Sequence, residues 1–329
     1  MPSADQVKAL ISSLSDGDEA HFFAVAMQIA AHEARAGHGK LAEEIRALID
    51  KAKARPRIEP RSAIPIARPR GEASDLLHVS YPNVRLNDII LADDSRRKLE
   101  RLLREQKAVL LIREKGLKPR RKVLLIGKPG TGKTLTASAL AGELGLPLMV
   151  VRLDGLITKF MGETAAKLRI IFDTLAQTRG VYLFDEFDSI GSARHMHNDV
   201  GEIRRVVNSF LQMVEQDNSD SLIVAATNHV GILDHALFRR FDDVIQYDLP
   251  DHKRIVETLK SKIGLFKTSK VEWSKLASLA EGLSYADITR ACEDAIKEAL
   301  IHNQMKVTHA DLARAIDDRK HTLRHTQSD

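Results

Sequence analysis

Lys133 and Thr134, at the end of a glycine-rich turn, are the residues with the clearest capacity for chemistry. An apolar run of strand type, residues 123–126, leads into the turn, and a helical pattern follows it to Gly145. Glycines let backbone N–H groups approach an anion without an obstructing Cβ atom, and the N-terminus of the next helix attracts the same anion. This order of elements predicts a loop that binds a nucleoside triphosphate.

The residues of this loop have distinct expected tasks. We expect the Lys133 ammonium group to contact the β- and γ-phosphates and the Thr134 hydroxyl group to bind Mg²⁺. The other turn residues expected to contact the nucleotide are Pro129, Gly130, Thr131 and Gly132. The alternative is a chance glycine turn before a helix, and the strand and helix patterns on either side argue against it.

Asp185 and Glu186 follow a second apolar strand pattern, residues 181–184. Beside a phosphate loop, Asp185 can hold Mg²⁺ through its water shell, and Glu186 can polarise the attacking water as a general base. Alone, two such acids are commonly a solvated strand end. Downstream of a phosphate loop in an alternating strand and helix pattern, they indicate hydrolysis of the bound triphosphate.

Asn228 follows a third apolar strand pattern, residues 222–226. Its amide is expected to hydrogen-bond the γ-phosphate or the attacking water. The alternative is an asparagine that simply forms a turn after the strand. As the third polar side chain at a strand end after the phosphate loop, Asn228 is better explained as part of the same site.

The segment after Asn228 reads Leu-Asp-His-Ala-Leu-Phe-Arg-Arg-Phe over residues 233–241. With the three motifs above, it resembles the AAA family of ring ATPases, and the resemblance extends over residues 84–315. The resemblance implies that Arg239 and Arg240 act in trans on the ATP of a neighbouring subunit, in a homo-oligomer that is usually a hexamer. It also implies that Ala286, within a Gly-Leu-Ser-Tyr-Ala-Asp-Ile stretch, contacts the nucleotide.

Lys159, Phe160 and Met161, followed by Gly-Glu, are similar to the aromatic pore loop of the same family. The resemblance implies that Phe160 lines a central channel and grips an extended polypeptide. The alternative is a buried phenylalanine in a helical turn.

Three segments depart from the family pattern near the expected position of the base. Residues 88–91 read Asp-Ile-Ile-Leu where the family usually has Asp-Ile-Gly-Gly. Tyr285 replaces a glycine before Ala286, and Ser261-Lys262 stands where a histidine is frequent. Recognition of adenine is therefore inferred from the resemblance.

The remaining pattern predicts the architecture. Strand candidates at 148–153, 181–184, 222–226 and 244–247 alternate with helices, which indicates a doubly wound α/β domain. From Asp251 onward the pattern is helical, over 252–263, 272–281, 284–303 and 308–320. The predicted organisation is an N-terminal helical bundle (1–53), a Pro/Arg-rich linker (54–82), an α/β ATPase domain (83–250), a small all-helical lid (251–320) and a tail (321–329).

The composition limits the cellular compartments and binding partners that we expect. The 329 residues carry a net charge of +5 and a single cysteine, Cys292, which is expected to pack in a helix and which fits a reducing cytoplasm. No window of eighteen apolar residues and no signal peptide is evident, so no membrane span is expected. Basic residues gather in the linker, but no zinc module or interleaved aromatic pattern supports nucleic-acid binding.

The leading hypothesis is an ATPase ring that unfolds, translocates or remodels protein substrates through a pore, using ATP and Mg²⁺. Residues 1–53 would dock a substrate, an adaptor or a separate peptidase. A peptidase would have to be a separate chain, because neither a His-Glu-x-x-His motif nor a serine elbow is present in this sequence. Two alternatives stay open: an ATP-driven assembly switch that remodels a partner without threading, and a nucleic-acid-associated ATPase that uses the basic linker.

Overall fold

The computed structural model describes residues 71–152, 161–186, 200–228, 238–264, 266–269, 271–302 and 306–326, with Leu156, Pro69 and scattered residues between 25 and 43. The chain divides into two compact units, residues 1–66 and 67–329. In the first unit, the described residues include Val25, Ile29 and Ala30, which are helical and buried. The rest of the expected bundle lies outside the described residues, so the bundle stays a prediction.

The second unit contains a six-stranded sheet in the order β1-β3-β4-β5-β2-β6. Strands β2 to β6 run parallel, and β1 pairs antiparallel with β3 at one edge. Central strands are apolar along their whole length because helices cover both faces of a parallel sheet. The strands are β1 (Leu77–Ser80), β2 (Lys122–Gly127), β3 (Leu148–Val151), β4 (Val181–Phe184), β5 (Leu222–Thr227) and β6 (Asp243–Tyr247).

Helices cover the two faces of this sheet, and successive β2 residues point to opposite layers. Leu124 packs with the helices at Met161–Gln177 and Val200–Gln216 on one face, whereas Leu125 packs with those at Asp93–Lys107 and Lys133–Leu144 on the other. The predicted doubly wound α/β fold is therefore confirmed. The described helices of this part are α1 (Ala73–Leu76), α2 (Asp93–Lys107), α3 (Val109–Glu114), α4 (Lys133–Leu144), α5 (Met161–Gln177) and α6 (Val200–Gln216), with a 3₁₀ turn at Leu86–Asp88.

Residues 73–80 differ from the expected linker, because they form α1 and β1. Strand β1 adds to the edge of the sheet, with Leu77 opposite Val151 and Ser80 opposite Leu148. Four residues are too short to show a period in the sequence, and the strand is fixed by its partner β3 rather than by its own pattern. The Pro/Arg-rich linker predicted at 54–82 therefore overlaps these two elements over eight residues.

The helical lid consists of α7 (His252–Ile263), α8 (Trp273–Leu279), α9 (Tyr285–Ile301) and α10 (His309–Thr326). One addition was not predicted: strands β7 (Lys267–Ser269) and β8 (Lys306–Thr308) form a small parallel pair. Cys292 is fully buried in the lid core, and burial raises the pKa of its thiol to about 12. The thiol is therefore neutral and serves packing, as expected.

Side-chain caps begin α9 and α10. Ser284 and Asp287 form a reciprocal capping box, and Thr308 and Asp311 exchange the same pair of hydrogen bonds. In the described part of the chain, no helix has the length and apolar character that crossing a membrane requires.

We predict that Phe210→Ala destabilises the α/β part by about 3–5 kcal/mol, because it empties a packed aromatic site. Phe210 is fully buried, and its ring centroid lies 4.8 Å from that of Phe184 and 6.0 Å from that of Phe172. Urea unfolding followed by circular dichroism measures the change. Leu110→Ala, at a side chain that is 74% exposed, is the control and should change stability by less than about 0.5 kcal/mol. Equal effects of the two substitutions would contradict the assigned packing.

Candidate active site

The glycine-rich loop joins the end of β2 to the start of α4 at Lys133. Gly130 and Gly132 have φ values of +74° and +100°, a region that other residues rarely adopt. Gly130 also has no room for a side chain, since a Cβ atom there would lie 2.4 Å from Ser284 Oγ. The sequence therefore needs glycine at this position for both conformation and space.

The Lys133 side chain is held at the centre of the loop. It is buried, and its ammonium group donates to Gly127 O at 2.7 Å, Lys128 O at 2.9 Å and Asn228 Oδ1 at 2.8 Å. Gly127 ends β2 and Asn228 follows β5, and these two strands are paired in the sheet. The strand order thus brings the predicted lysine and asparagine together.

Thr134 and Asp185 meet at the same edge of the sheet. The Thr134 hydroxyl group donates to Asp185 Oδ2 at 2.5 Å, and Asp185 Oδ1 accepts the Glu186 backbone N–H at 2.9 Å. A hydroxyl and a carboxylate oxygen held this close are the hard oxygen ligands that Mg²⁺ prefers. The donor set therefore fits the predicted metal ion.

Glu186 has an unusual backbone. Its φ is +49°, and it is the only non-glycine residue with a positive φ in the described part of the chain. Such a conformation costs of order 1–3 kcal/mol and tends to persist where function requires it. The residue lies directly after β4 and lines the cleft described next.

A cleft of about 520 Å³ lies between the phosphate loop and the lid. The predicted residues that line it are Pro129, Gly130, Thr131, Gly132, Lys133, Thr134, Asp185, Glu186, Asn228 and Ala286. The Ala286 backbone N–H donates to Gly130 O at 3.1 Å, so the start of α9 rests on the loop. One cleft thus unites residues that are more than 150 positions apart in the sequence.

The segments that depart from the family pattern all line this cleft. Ile89 and Ile90 from the α/β part face Ser261, Lys262 and Tyr285 from the lid across it. Burial raises the pKa of the Tyr285 phenol to about 12, so the phenol is neutral and able to donate a hydrogen bond at neutral pH. These side chains line the cleft from both the α/β part and the lid.

Arg254 contacts residues of both the lid and the α/β part. Its guanidinium Nε donates to Leu91 O at 3.1 Å, and its terminal nitrogens contact Asp251 and Asp93. Since Arg254 belongs to α7 and Leu91 precedes α2, the contact joins the lid to the α/β part.

The two predicted arginines lie elsewhere. Neither Arg239 nor Arg240 lines the cleft. Arg239 is exposed, and Arg240 Nε lies 3.2 Å from a Glu215 carboxylate oxygen. Of the expected pore residues, Lys159 and Phe160 lie outside the described residues, and Met161 is the first residue of α5.

Comparisons with known proteins agree with this geometry. The family model for the ATPase family associated with various cellular activities (AAA) matches residues 123–249. The uncharacterized AAA family ATPase y4kL of Sinorhizobium fredii is 36% identical over 320 residues, which cover 97% of this chain and 96% of that protein. The chain belongs to the AAA family. It is accordingly an ATP hydrolase.

Other AAA relatives carry more descriptive names. The ATP-dependent zinc metalloprotease FtsH of Helicobacter pylori is 33% identical over 257 residues, or 75% of this chain and 41% of that protein. The proteasome-activating nucleotidase of Saccharolobus solfataricus is 35% identical over 249 residues, or 73% of this chain and 63% of that protein. The chain thus spans less than two thirds of the length of either relative.

Several residues of the AAA cleft were missed in the sequence. Thr289, Arg290 and Glu293 line it from the same face of α9 as Ala286. Thr289 and Arg290 follow Ala286 by three and four residues, and Glu293 follows them by four and three, which was a usable signal because such positions share one side of a helix. Thr258, one helical turn before Lys262, lines it from α7 in the same way.

We predict that Gly130→Ala lowers nucleotide affinity by more than about tenfold, because its Cβ would collide with Ser284 at a φ unfavourable for alanine. Calorimetric titration with ADP and Mg²⁺ measures the affinity. Gly116→Ala is the matched control, since Gly116 has the same φ of +74° but open space around it. An equal loss in both variants would show that backbone strain alone, and not the contact with the lid, explains the effect.

Proposed function

We propose that the protein is a ring-forming AAA ATPase that couples hydrolysis of ATP to the remodelling of protein substrates in the cytoplasm. The observation that carries this proposal is the single cleft in which the phosphate loop, Asp185, Glu186 and Asn228 face the lid. The names of the FtsH and proteasome-activating relatives support proteins as the substrate class.

In this proposal the phosphates of ATP lie on residues 129–134. The buried Lys133 ammonium group neutralises their charge, and its three oxygen acceptors keep it in position before ATP arrives. Thr134 and Asp185 would hold Mg²⁺, which supplies charge stabilisation to the phosphate oxygens when bound. Ala286 contacts the nucleotide from the lid, where it already contacts Gly130.

Glu186 and Asn228 have separate tasks in the proposed hydrolysis. Glu186 accepts the proton of the attacking water, and its unusual backbone directs it into the cleft. The Asn228 Oδ1 atom accepts from Lys133, so its amide Nδ2 is the group that donates to the γ-phosphate or the water. The same hydrogen bond keeps the amide in one orientation.

Arg239 and Arg240 are proposed to act on the ATP of a neighbouring copy in a ring, which we propose to be a hexamer. Their position outside their own cleft and the exposure of Arg239 support action in trans. Arginine suits this task because it is always charged and presents a planar set of donors. Hydrolysis would then depend on assembly.

The proposed substrate path runs through a pore lined by Lys159, Phe160 and Met161. An aromatic side chain grips an extended polypeptide without regard to its sequence, since the contact is mainly apolar. Residues 1–53 are proposed to dock the substrate, an adaptor or a separate peptidase.

We predict that Glu186→Gln lowers kcat for ATP by about 10²–10⁴-fold while ADP affinity changes by less than about twofold, because only the general base is lost. A phosphate-release assay and calorimetry measure the two quantities. Glu114→Gln, an exposed substitution on α3, is the control and should leave both unchanged. Normal turnover by Glu186→Gln would remove this residue from the role of base.

We predict that Phe160→Ala keeps ATPase activity within about twofold but abolishes unfolding of a tagged fluorescent protein, because the pore loses its aromatic contact. Loss of fluorescence with time measures unfolding. Phe266→Ala, at a lid side chain that is 37% exposed, is the matched control. Unchanged processing of a physiological partner by Phe160→Ala would favour the assembly switch over threading.

A further inference from the structure

The N-terminal end of α9 forms one wall of the cleft through direct contact with the phosphate loop. Besides the hydrogen bond from Ala286 N–H to Gly130 O, the side chain of Ser284 occupies the space beside Gly130. A change in the position of this helix end would therefore alter its contacts with the loop. Whatever fixes the helix end also fixes the nucleotide site.

Asp287 fixes the helix end from within the same turn. Its Oδ2 atom accepts from Ser284 Oγ at 2.5 Å and from Ser284 N at 3.3 Å, and its own N–H donates to Ser284 Oγ at 3.2 Å. This capping box satisfies the first backbone groups of α9 and sets the direction in which the helix begins. One carboxylate oxygen, Oδ1, points away from the turn.

Arg319 of α10 donates a hydrogen bond to that second oxygen. Its Nε donates to Asp287 Oδ1 at 3.0 Å, and the two side chains are only 23% and 15% exposed. An ion pair with this little solvent is less screened than a surface pair, and a charge-assisted hydrogen bond is stronger than a neutral one. Arg319 is therefore joined to Gly130 through Asp287, the helix turn and the Ala286 backbone.

We propose that Arg319 is a positioning residue for nucleotide binding: it holds Asp287, and thereby keeps the start of α9 against the phosphate loop. This inference rests on the proposed binding of ATP in the cleft. Arg319 does not line the cleft itself, so its effect reaches the nucleotide only through the placement of α9.

Other contacts also hold α10 in the lid. Helix α10 is anchored by Leu312 and Ile316, which are fully buried, and it is capped by Thr308 and Asp311. Replacement of Arg319 should therefore leave the lid folded and change mainly the position of the start of α9. This separation makes the proposal testable by substitution.

The test is titration of the full-length chain with ADP and Mg²⁺, together with ATPase kinetics. We expect Arg319→Gln to raise the Kd for ADP by about threefold to tenfold, and KM for ATP by a similar factor, while kcat stays within about twofold. Arg319→Lys should recover part of the affinity. The melting temperature without nucleotide should fall by less than about 3 °C in either variant.

Arg314→Gln is the matched control, because it changes the same residue type on the same helix and has no contact with Asp287. Its Kd and KM should equal those of the wild type. An unchanged Kd in Arg319→Gln, or an equal rise in Arg314→Gln, would overturn the proposal. A fall in kcat with no change in Kd would overturn it as well.

A Lys133→Ala variant separates this proposal from the one on which it rests. Loss of ADP binding in Lys133→Ala with full binding in Arg319→Gln would refute only the role of Arg319. Wild-type binding by Lys133→Ala would refute the proposed nucleotide site and the role of Arg319 together.

Discussion

The buried ammonium group of Lys133 is the constraint on which the rest of the site depends. A buried charge needs acceptors, and the three that surround it come from the end of β2, the loop and the residue after β5. These acceptors converge only because β2 and β5 are parallel neighbours, with β4 alongside β5. The order of the strands in the sheet thus determines which polar side chains lie next to one another in the site.

The α/β part and the lid both contribute residues to the cleft. The lid contacts the α/β part at Ala286–Gly130 and at Arg254–Leu91. Each contact ends on a backbone carbonyl oxygen of the α/β part, whereas the donor is a backbone N–H at Ala286 and a side-chain nitrogen at Arg254. These contacts join the lid to the α/β part at two points, and the two parts form the cleft together.

Local features were predictable from the sequence because their physics is local. The bounds of β4 and α7 agree with the predicted ranges, 181–184 and 252–263. Non-local features were not predictable. Strand β1 depends on pairing with β3, and the β7–β8 pair joins two three-residue segments.

The residues of the candidate site also fall into those predictable from local sequence and those that were not. Each strand-end residue was marked by its own motif. Prediction of Arg290 and Glu293 required knowing which face of α9 lines the cleft. The contact of Arg319 with Asp287 joins residues 32 positions apart and has no signal in either segment.

The central claim is that each active site is completed by the neighbouring subunit, and mixing two inactive variants tests it most directly. Lys133→Ala removes ATP binding but keeps the arginines, whereas the double variant Arg239→Ala/Arg240→Ala keeps ATP binding and lacks them. The account predicts that each variant alone is inactive and that an equal mixture recovers about a quarter of the wild-type rate, since half of the sites bind ATP and half of their neighbours carry arginines. Full ATPase activity of the double arginine variant by itself would contradict it.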